Sequence, residues 1–231
     1  MRRAAAAIRS IRRRETLRIA IGGVLDDLSI DEVAQGLSDL TEAYLCGLLD
    51  SVLATSVQKV DKYRLASAVD FAIVAMGRFG GAELGFGSDA DVMFVYQPQS
   101  GVDGDIAQKA AEQIVTALRE ASQDQVLEFE LDLDLRPEGK NGVLVRSLDS
   151  YRAYYDRWSS DWESQALLRA RVIAGSPALR AEFESVINEH RYPEEIQESS
   201  IVEIRRIKAR VETERLPQGA DPKRHLKLGR G

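Results

Sequence analysis

The hydrophobic positions of residues 1–64 follow the spacing of helices. Ser29 precedes an apolar run, and Glu32 lies three residues after Ser29. This pair predicts a capping box at a helix N terminus. Beyond it, apolar side chains recur every three or four residues, on one face of a long helix; they are Val33, Leu37, Leu40, Tyr44, Leu48 and Val52. We therefore expect residues 1–64 to form an N-terminal helical segment.

The hydrophobic pattern changes over residues 65–147. Asp70–Met76 and Asp91–Tyr96 are short apolar runs, which are typical of buried strands. Residues 105–121 return to helical spacing. Leu127–Leu135 alternates strictly between apolar and acidic residues, which predicts a strand with one apolar and one acidic face. We expect a sheet domain here.

Residues 148–231 are expected to be mainly helical. The pattern predicts helices over Trp162–Val172 and Ile201–Arg215. The chain ends in the glycine-rich stretch Lys227–Gly231, which leads us to expect a truncated C terminus. Taken together, the three regions predict an α+β fold in which helical segments flank a sheet domain on both sides.

Charge and composition narrow the classes of partner. The 231 residues carry a net charge of −6, with a pI of about 5.2. This balance argues against the broad basic surface of nucleic-acid-binding proteins. No apolar run approaches the roughly 20 residues of a membrane helix, and a single cysteine, Cys46, fits a reducing compartment. We expect a cytoplasmic protein without a nucleic-acid or membrane partner.

The loop between the first two predicted strands carries the candidate chemistry. Gly80 and Gly81 let the backbone approach a ligand closely, and successive amides of such a loop suit a phosphate. Ser88 adds a hydroxyl donor. Asp89 and Asp91 lie two residues apart, so in a strand their carboxylates share one face. Mg²⁺ bound to substrate phosphates suits such a pair.

A third carboxylate from the acidic face of the next strand would complete a site for two Mg²⁺ ions. The alternation alone leaves Glu130, Asp132 and Asp134 open for this role. The alternative interpretation is that Asp89 and Asp91 only stabilise a turn before the strand. The second acidic strand downstream favours the metal site.

Several blocks of sequence together resemble one family. The order Gly-Gly, spacer, Asp-apolar-Asp resembles the polymerase-beta-like nucleotidyltransferase superfamily. More specifically, four blocks in order resemble the glutamine synthetase adenylyltransferases: Gly77–Asp91, Asp132–Val145, Trp162–Arg171 and Lys227–Gly231. The resemblance implies a polymerase-beta-like sheet domain that transfers AMP from ATP to a tyrosine hydroxyl of glutamine synthetase and releases pyrophosphate.

The resemblance also ranks the candidate residues. It selects Asp132 as the third carboxylate, so that Asp89, Asp91 and Asp132 would be both catalytic residues and ligands of two Mg²⁺ ions. Arg78 stands where the family commonly has lysine and keeps the positive charge beside Gly80, Gly81 and Ser88 at the nucleotide site.

Three further arginines could bind phosphate, because arginine pairs with phosphate oxygens bidentately. For Arg136 this role and a structural one are equally open. For Arg169 and Arg171 the structural role is favoured over phosphate binding, with ion pairs to Glu163, Glu138 or the acidic strand.

Three other interpretations remain open. Enzymes of this family have a second, related domain that removes AMP with phosphate; the blocks here are closer to the C-terminal, adenylylating half of an actinobacterial type. A nucleotidyltransferase that acts on RNA or an antibiotic is the second alternative, and a non-catalytic nucleotide-binding regulatory module is the third. By resemblance, the partners are glutamine synthetase and, through the full-length enzyme, a PII-type nitrogen-signalling protein.

Overall fold

The computed structural model describes residues 2–58, 65–158, 160–192, 195 and 198–214. Helices cover most of this part of the chain, and five strands form one sheet. The elements in chain order are α1 (Arg2–Val24), α2 (Ile30–Gln58), α3 (Leu65–Ala68), β1 (Val69–Ala75), α4 (Gly77–Gly80), β2 (Ala90–Pro98), α5 (Gly104–Ser122), β3 (Leu131–Asp132), a 3₁₀ turn (Gly139–Asn141), β4 (Arg146–Ser147), α6 (Leu148–Trp158), α7 (Asp161–Leu167), β5 (Arg171–Ala174), α8 (Pro177–Arg191) and α9 (Glu198–Glu214).

The sheet is mixed and has the strand order β3-β2-β1-β5. β1 pairs antiparallel with both β2 and β5. β3 and β4 pair parallel with β2, near its start and near its end respectively. Both short strands use the edge of β2 that β1 leaves open, so the chain between them leaves the sheet and returns to the same strand. The α+β fold class is thus confirmed.

The two faces of the sheet are covered by different helices. Val92 and Phe94 of β2 belong to a cluster with apolar residues of α1, α2 and α5. Met93 and Val95 belong to a second cluster with α6, α7 and α8. This division follows from the strand itself, because successive side chains point to opposite faces. Near-continuous hydrophobic strands such as β1 and β2 are typical of a sheet buried on both faces.

The helix start predicted at Ser29 is confirmed. The Ser29 N–H donates to the Glu32 carboxylate at 2.8 Å, and the Glu32 N–H donates to the Ser29 hydroxyl at 3.3 Å. This reciprocal arrangement satisfies two backbone donors that a helix N terminus leaves without partners. The helix predicted over residues 105–121 is also confirmed as α5, whose first turn is capped by the Asp103 carboxylate.

The strand predicted over Leu127–Leu135 is mostly wrong. Only Leu131 and Asp132 pair in the sheet. The burial still alternates, since Leu127 and Phe129 are half-buried while Glu128 and Glu130 are exposed. The chain is therefore amphipathic as predicted, but the Arg12 side chain of α1 binds the carbonyl groups of residues 127 and 128 in place of a neighbouring strand.

The helix predicted over Trp162–Val172 ends at Leu167, and Arg171–Ala174 form a strand at the edge of the sheet. The region over residues 148–231, which was expected to be mainly helical, therefore also contributes a strand to the sheet. The sequence of this strand, Arg-Val-Ile-Ala, does not alternate between polar and apolar residues, so it left no distinct pattern. The predicted helix Ile201–Arg215 is confirmed as far as Glu214; Arg215 and Lys227–Gly231 lie outside the described residues.

Among the described residues, no helix combines the length and the apolar character that a membrane span requires.

Candidate active site

The backbone places two of the three predicted carboxylates side by side. Asp91 of β2 and Asp132 of β3 are direct partners in the parallel pair. Neighbouring strands lie about 4.8 Å apart, and paired positions point to the same face of the sheet. Asp89 lies two residues before Asp91, just ahead of β2, and all three residues are half-buried. Asp91 and Asp132 are the position at which these two acidic segments pair.

An all-carboxylate donor set with room for substrate oxygens fits Mg²⁺ chemically. Within residues 2–58, 65–158, 160–192 and 198–214, no three His, Cys, Asp or Glu side chains are gathered into an arrangement that could hold a metal ion. Asp132 Oδ1 instead accepts the Asp134 N–H at 2.7 Å. The structure thus supplies neighbouring backbone positions for the carboxylates, whereas a metal site requires their side chains to turn toward one another.

Gly77 lies directly against the Asp91 carboxylate. It has a positive φ of 51°, and a Cβ atom there would lie 2.5 Å from Asp91 Oδ2. The preceding Met76 N–H donates to the Asp91 carbonyl at 2.8 Å. A side chain at this position would be strained and would displace the carboxylate. Gly80 and Gly81 were the glycines singled out from the sequence; the signal for Gly77 was its place directly after the apolar run Asp70–Met76.

Gly80 is the last residue of the short helical turn α4, and Gly81 caps it. The Gly80 N–H donates to the Met76 carbonyl at 2.7 Å, and the Gly81 N–H donates to the Gly77 carbonyl at 3.2 Å. These two amides are therefore already used by carbonyl groups. A Cβ atom on Gly80 would overlap the Arg169 carbonyl oxygen. Gly80 thus allows the turn to pack against the chain that follows α7.

The rest of the loop is held by short-range hydrogen bonds and by α2. The Ser88 hydroxyl accepts the Gly85 N–H at 3.1 Å, and a hydroxyl that accepts one bond still has its own proton to donate. The Leu84 N–H donates to the buried Ser38 hydroxyl of α2 at 3.2 Å. Arg78 is half-buried in α4, and its carbonyl accepts the Glu83 N–H at 2.8 Å. Ser88 and Arg78 thus lie on a loop whose shape these hydrogen bonds define.

Arg136 is buried, and its guanidinium closes the loop that follows β3. Its three nitrogens each donate to a carbonyl group: Nη1 to Leu133 at 2.7 Å, Nε to Gly142 at 3.0 Å and Nη2 to Lys140 at 3.0 Å. A guanidinium with these donors engaged inside the protein has little capacity left for a phosphate. Of the two roles left open by the sequence, the contacts favour the structural one.

Arg169 and Arg171 form ion pairs, as the structural alternative expected, but their partners differ from those predicted. Arg169 pairs with Glu83 at 2.6 Å. Arg171 pairs with Glu42 of α2, and its Nε also donates to the Gly80 carbonyl at 3.4 Å. Both arginines therefore tie the glycine loop to neighbouring elements.

Glu163 was expected only as an arginine partner, but it connects α6, α7 and the loop after β3. Its buried carboxylate accepts the Ser160 N–H at 2.9 Å, the Tyr154 hydroxyl at 2.7 Å and the Glu138 N–H at 3.3 Å. Burial and the neighbouring Glu163 carboxylate raise the pKa of Tyr154 to about 12. The capping-box spacing Ser160 to Glu163 was the sequence signal that could have identified this role.

A cavity of about 330 Å³ lies beside Ser88 and Asp89. Its walls come from α1, α2, the loop over residues 84–89 and the segment over residues 127–130. Leu37 and Phe129, which line it, pack with the cluster of α1, α2 and α5. Asp91 points to the opposite face of the sheet, by alternation with Val92. The cavity therefore adjoins the carboxylate site at Ser88 and Asp89.

Comparison with known proteins decides the family. A family model described as glutamate-ammonia ligase adenylyltransferase matches residues 2–186. The chain belongs to this family. It is 56% identical to the bifunctional glutamine synthetase adenylyltransferase/adenylyl-removing enzyme of Leifsonia xyli subsp. xyli, over 99% of this chain and 22% of that protein.

Further relatives agree with this assignment to the glutamate-ammonia ligase adenylyltransferase family. Identity is 48% to the bifunctional enzyme of Mycobacterium tuberculosis, over 99% of this chain and 23% of the relative. It is 46% to that of Streptomyces coelicolor, over 99% of this chain and 24% of the relative. The chain thus spans less than a quarter of the length of these curated relatives. The resemblance that the sequence blocks indicated is confirmed at the level of the family.

Proposed function

We propose that this chain transfers AMP from ATP to a tyrosine hydroxyl of glutamine synthetase and releases pyrophosphate. The observation that supports this most directly is the parallel pairing of Asp91 with Asp132. In this pairing, residues from two separate sequence blocks occupy neighbouring positions that face the same side of the sheet. The relatives' names supply the class of reaction and the acceptor protein.

In this proposal, Asp89, Asp91 and Asp132 hold Mg²⁺, in the two-ion arrangement expected from the sequence. Bound Mg²⁺ would neutralise phosphate charge and lower the pKa of the attacking hydroxyl. The protein's own residues position the substrates. The Ser88 hydroxyl donates to a phosphate oxygen, and Arg78 contributes a positive charge beside it.

The bond changes are those of an in-line displacement. The tyrosine oxygen forms a bond to the α-phosphorus, and the bond from that phosphorus to the bridging oxygen breaks, so that pyrophosphate leaves with the electron pair. The phenolic proton leaves to a carboxylate of the acidic face or to water. Gly77 lets the Asp91 side chain lie against the loop without a steric clash, so that nucleotide and carboxylates can share one surface.

We assign the chain to the adenylylating half of the bifunctional enzymes, on the sequence blocks that follow Asp132. Cytoplasmic location, and regulation by a PII-type protein through a longer enzyme, belong to the same proposal. We expect neither a nucleic-acid nor a membrane partner, in keeping with the acidic pI.

The test is transfer of label from α-labelled ATP to glutamine synthetase in the presence of Mg²⁺. We expect label on the synthetase with the native chain and a loss of at least about 100-fold in Asp89→Asn and Asp132→Asn. Asp103→Asn is the matched control, because asparagine caps a helix as well as aspartate does, so this variant should keep native activity.

A second assay separates the two halves of the family. The chain is incubated with adenylylated glutamine synthetase and inorganic phosphate. Release of AMP as ADP, without any label transfer in the first assay, would contradict the proposed direction and assign the removing reaction instead. Binding of Mg²⁺-ATP without either reaction would favour the regulatory module.

A further inference from the structure

Three arginines of α1 contact the last turn of α5 and the chain that connects α5 with β3. Arg9 Nη1 donates to the Ala121 carbonyl at 2.8 Å. Arg12 donates through Nη1 to Leu127 at 2.9 Å and through Nη2 to Glu128 at 3.0 Å. These contacts join residues more than 100 positions apart in sequence. The N-terminal helix therefore binds the segment over residues 121–128 directly.

Asp124 is the second part of this contact. Its side chain is fully buried, and both of its oxygens accept from Arg13, with Nε at 2.9 Å from Oδ2. Oδ1 also accepts the Val126 N–H at 3.0 Å and the Leu127 N–H at 3.4 Å. Burial alone would raise the pKa of Asp124, but the bonds from Arg13 and the two amides outweigh it and lower this pKa to about 2. The ionised carboxylate thus stabilises the turn of the chain that follows α5.

Arg12 is also fixed by aromatic rings. Its guanidinium carbon lies 4.7 Å from the centre of the Phe129 ring and 5.2 Å from that of Tyr44. The two rings meet edge to face at 4.9 Å, and the Tyr44 hydroxyl donates to the Ser122 carbonyl at 2.9 Å. Arg12 is therefore held in one orientation, which is what a planar guanidinium needs in order to direct two hydrogen bonds at once.

The segment held in this way leads straight to the carboxylate site. The Glu130 carbonyl accepts the Ala90 N–H at 3.0 Å, and the next two residues, Leu131 and Asp132, form the whole of β3. A pairing of two residues is far shorter than ordinary strands and fixes its own register weakly. A slip of one residue would turn Asp132 to the other face.

We propose that Arg12 and the Arg13–Asp124 pair are positioning residues, which set the register of β3 on β2 and thereby place Asp132 beside Asp91. The helix α1 is then part of the machinery that assembles the carboxylate site, although none of its residues belongs to that site. The claim about register stands on the contacts alone, whereas its consequence for activity rests on the proposed function.

Arg12→Lys tests this directly, because lysine keeps the charge but lacks the planar fork that reaches two carbonyl groups. We expect hydrogen exchange of the Ala90 amide, measured without Mg²⁺ or nucleotide, to become at least 10-fold faster. In the transfer assay, kcat should fall at least 10-fold while KM for ATP changes less than 3-fold. Half-maximal activity should also require more Mg²⁺. Arg14→Gln is the matched control, since the Arg14 side chain is 73% exposed, and it should match the native chain in every readout.

Native exchange of the Ala90 amide in a folded Arg12→Lys variant would overturn the proposal, as would faster exchange with unchanged kcat. If Arg12→Lys does not fold, Arg13→Lys takes its place with the same expectations. A native chain without transfer activity would refute the proposed function only. The exchange experiment would then decide the positioning of β3 by itself.

Discussion

Replacing Asp124 with asparagine should lower the free energy of unfolding by about 2 kcal/mol at neutral pH. This magnitude follows from the shift of the Asp124 pKa from an ordinary 3.8 to about 2. Each pKa unit of such a shift corresponds to about 1.4 kcal/mol of stability. Because the pKa is lower in the folded protein, the stabilisation is fully present above pH 4 and is lost as the pH falls toward 2. At pH 3 about half of it should remain. Asparagine can still accept the Val126 N–H, so the variant isolates the contribution of the charge.

The measurement is urea unfolding of the native chain and Asp124→Asn at several pH values between 7 and 2.5. Asp149→Asn is the control, because Asp149 also pairs with an arginine, at 3.2 Å, but its side chain is 89% exposed. An exposed pair of this kind contributes little, so the control should differ from the native chain by less than about 0.5 kcal/mol. If the difference between Asp124→Asn and the native chain were the same at pH 7 and pH 3, the lowered pKa would be refuted.

Three further outcomes follow from the structure. Gly80→Ala should unfold the loop or lower the stability by several kcal/mol, since the added Cβ would overlap a backbone oxygen. Gly87→Ala should lower it by only about 1 kcal/mol, because the positive φ is strained but the space around the residue is open. Thermal unfolding compares the two variants. Arg136→Met should lower stability by about 1–3 kcal/mol through three carbonyl acceptors left without a donor, as urea unfolding would show. Glu163→Gln should lower the pKa of Tyr154 from about 12, and an unchanged titration of that ring by NMR would contradict the assigned contact.

Much of the fold could be predicted from local patterns. The strands β1 and β2 are continuous apolar runs, and the start of α2 follows from the spacing of Ser29 and Glu32, because the interactions that determine them lie within a few residues. The candidate carboxylates were found for the same reason, since Asp89 and Asp91 are neighbours in sequence. What the pattern around Asp132 predicted correctly was an amphipathic chain with its acidic residues on one side.

The rest depends on contacts between distant residues. Whether Leu127 pairs with a strand or with Arg12 is decided by α1, which precedes it by more than 100 residues. The engagement of Arg136 with three carbonyl groups depends on the path of a loop that no periodicity describes. Gly80 could be recognised as special, but the reason for it, the nearby Arg169 carbonyl, belongs to tertiary packing.

The alternation along β2 also limits how the length of this protein can vary. Val92 packs in one hydrophobic cluster and Met93 in the other, while Asp91 shares its face with Met93. Deleting a single residue within β2 would therefore turn the side chains on one side of the deletion to the opposite face of the sheet. A carboxylate would then enter an apolar cluster. Insertions and deletions, natural or engineered, should therefore not be tolerated within β2. They should be tolerated around Gly101, where an added side-chain atom would meet no neighbour within 4 Å.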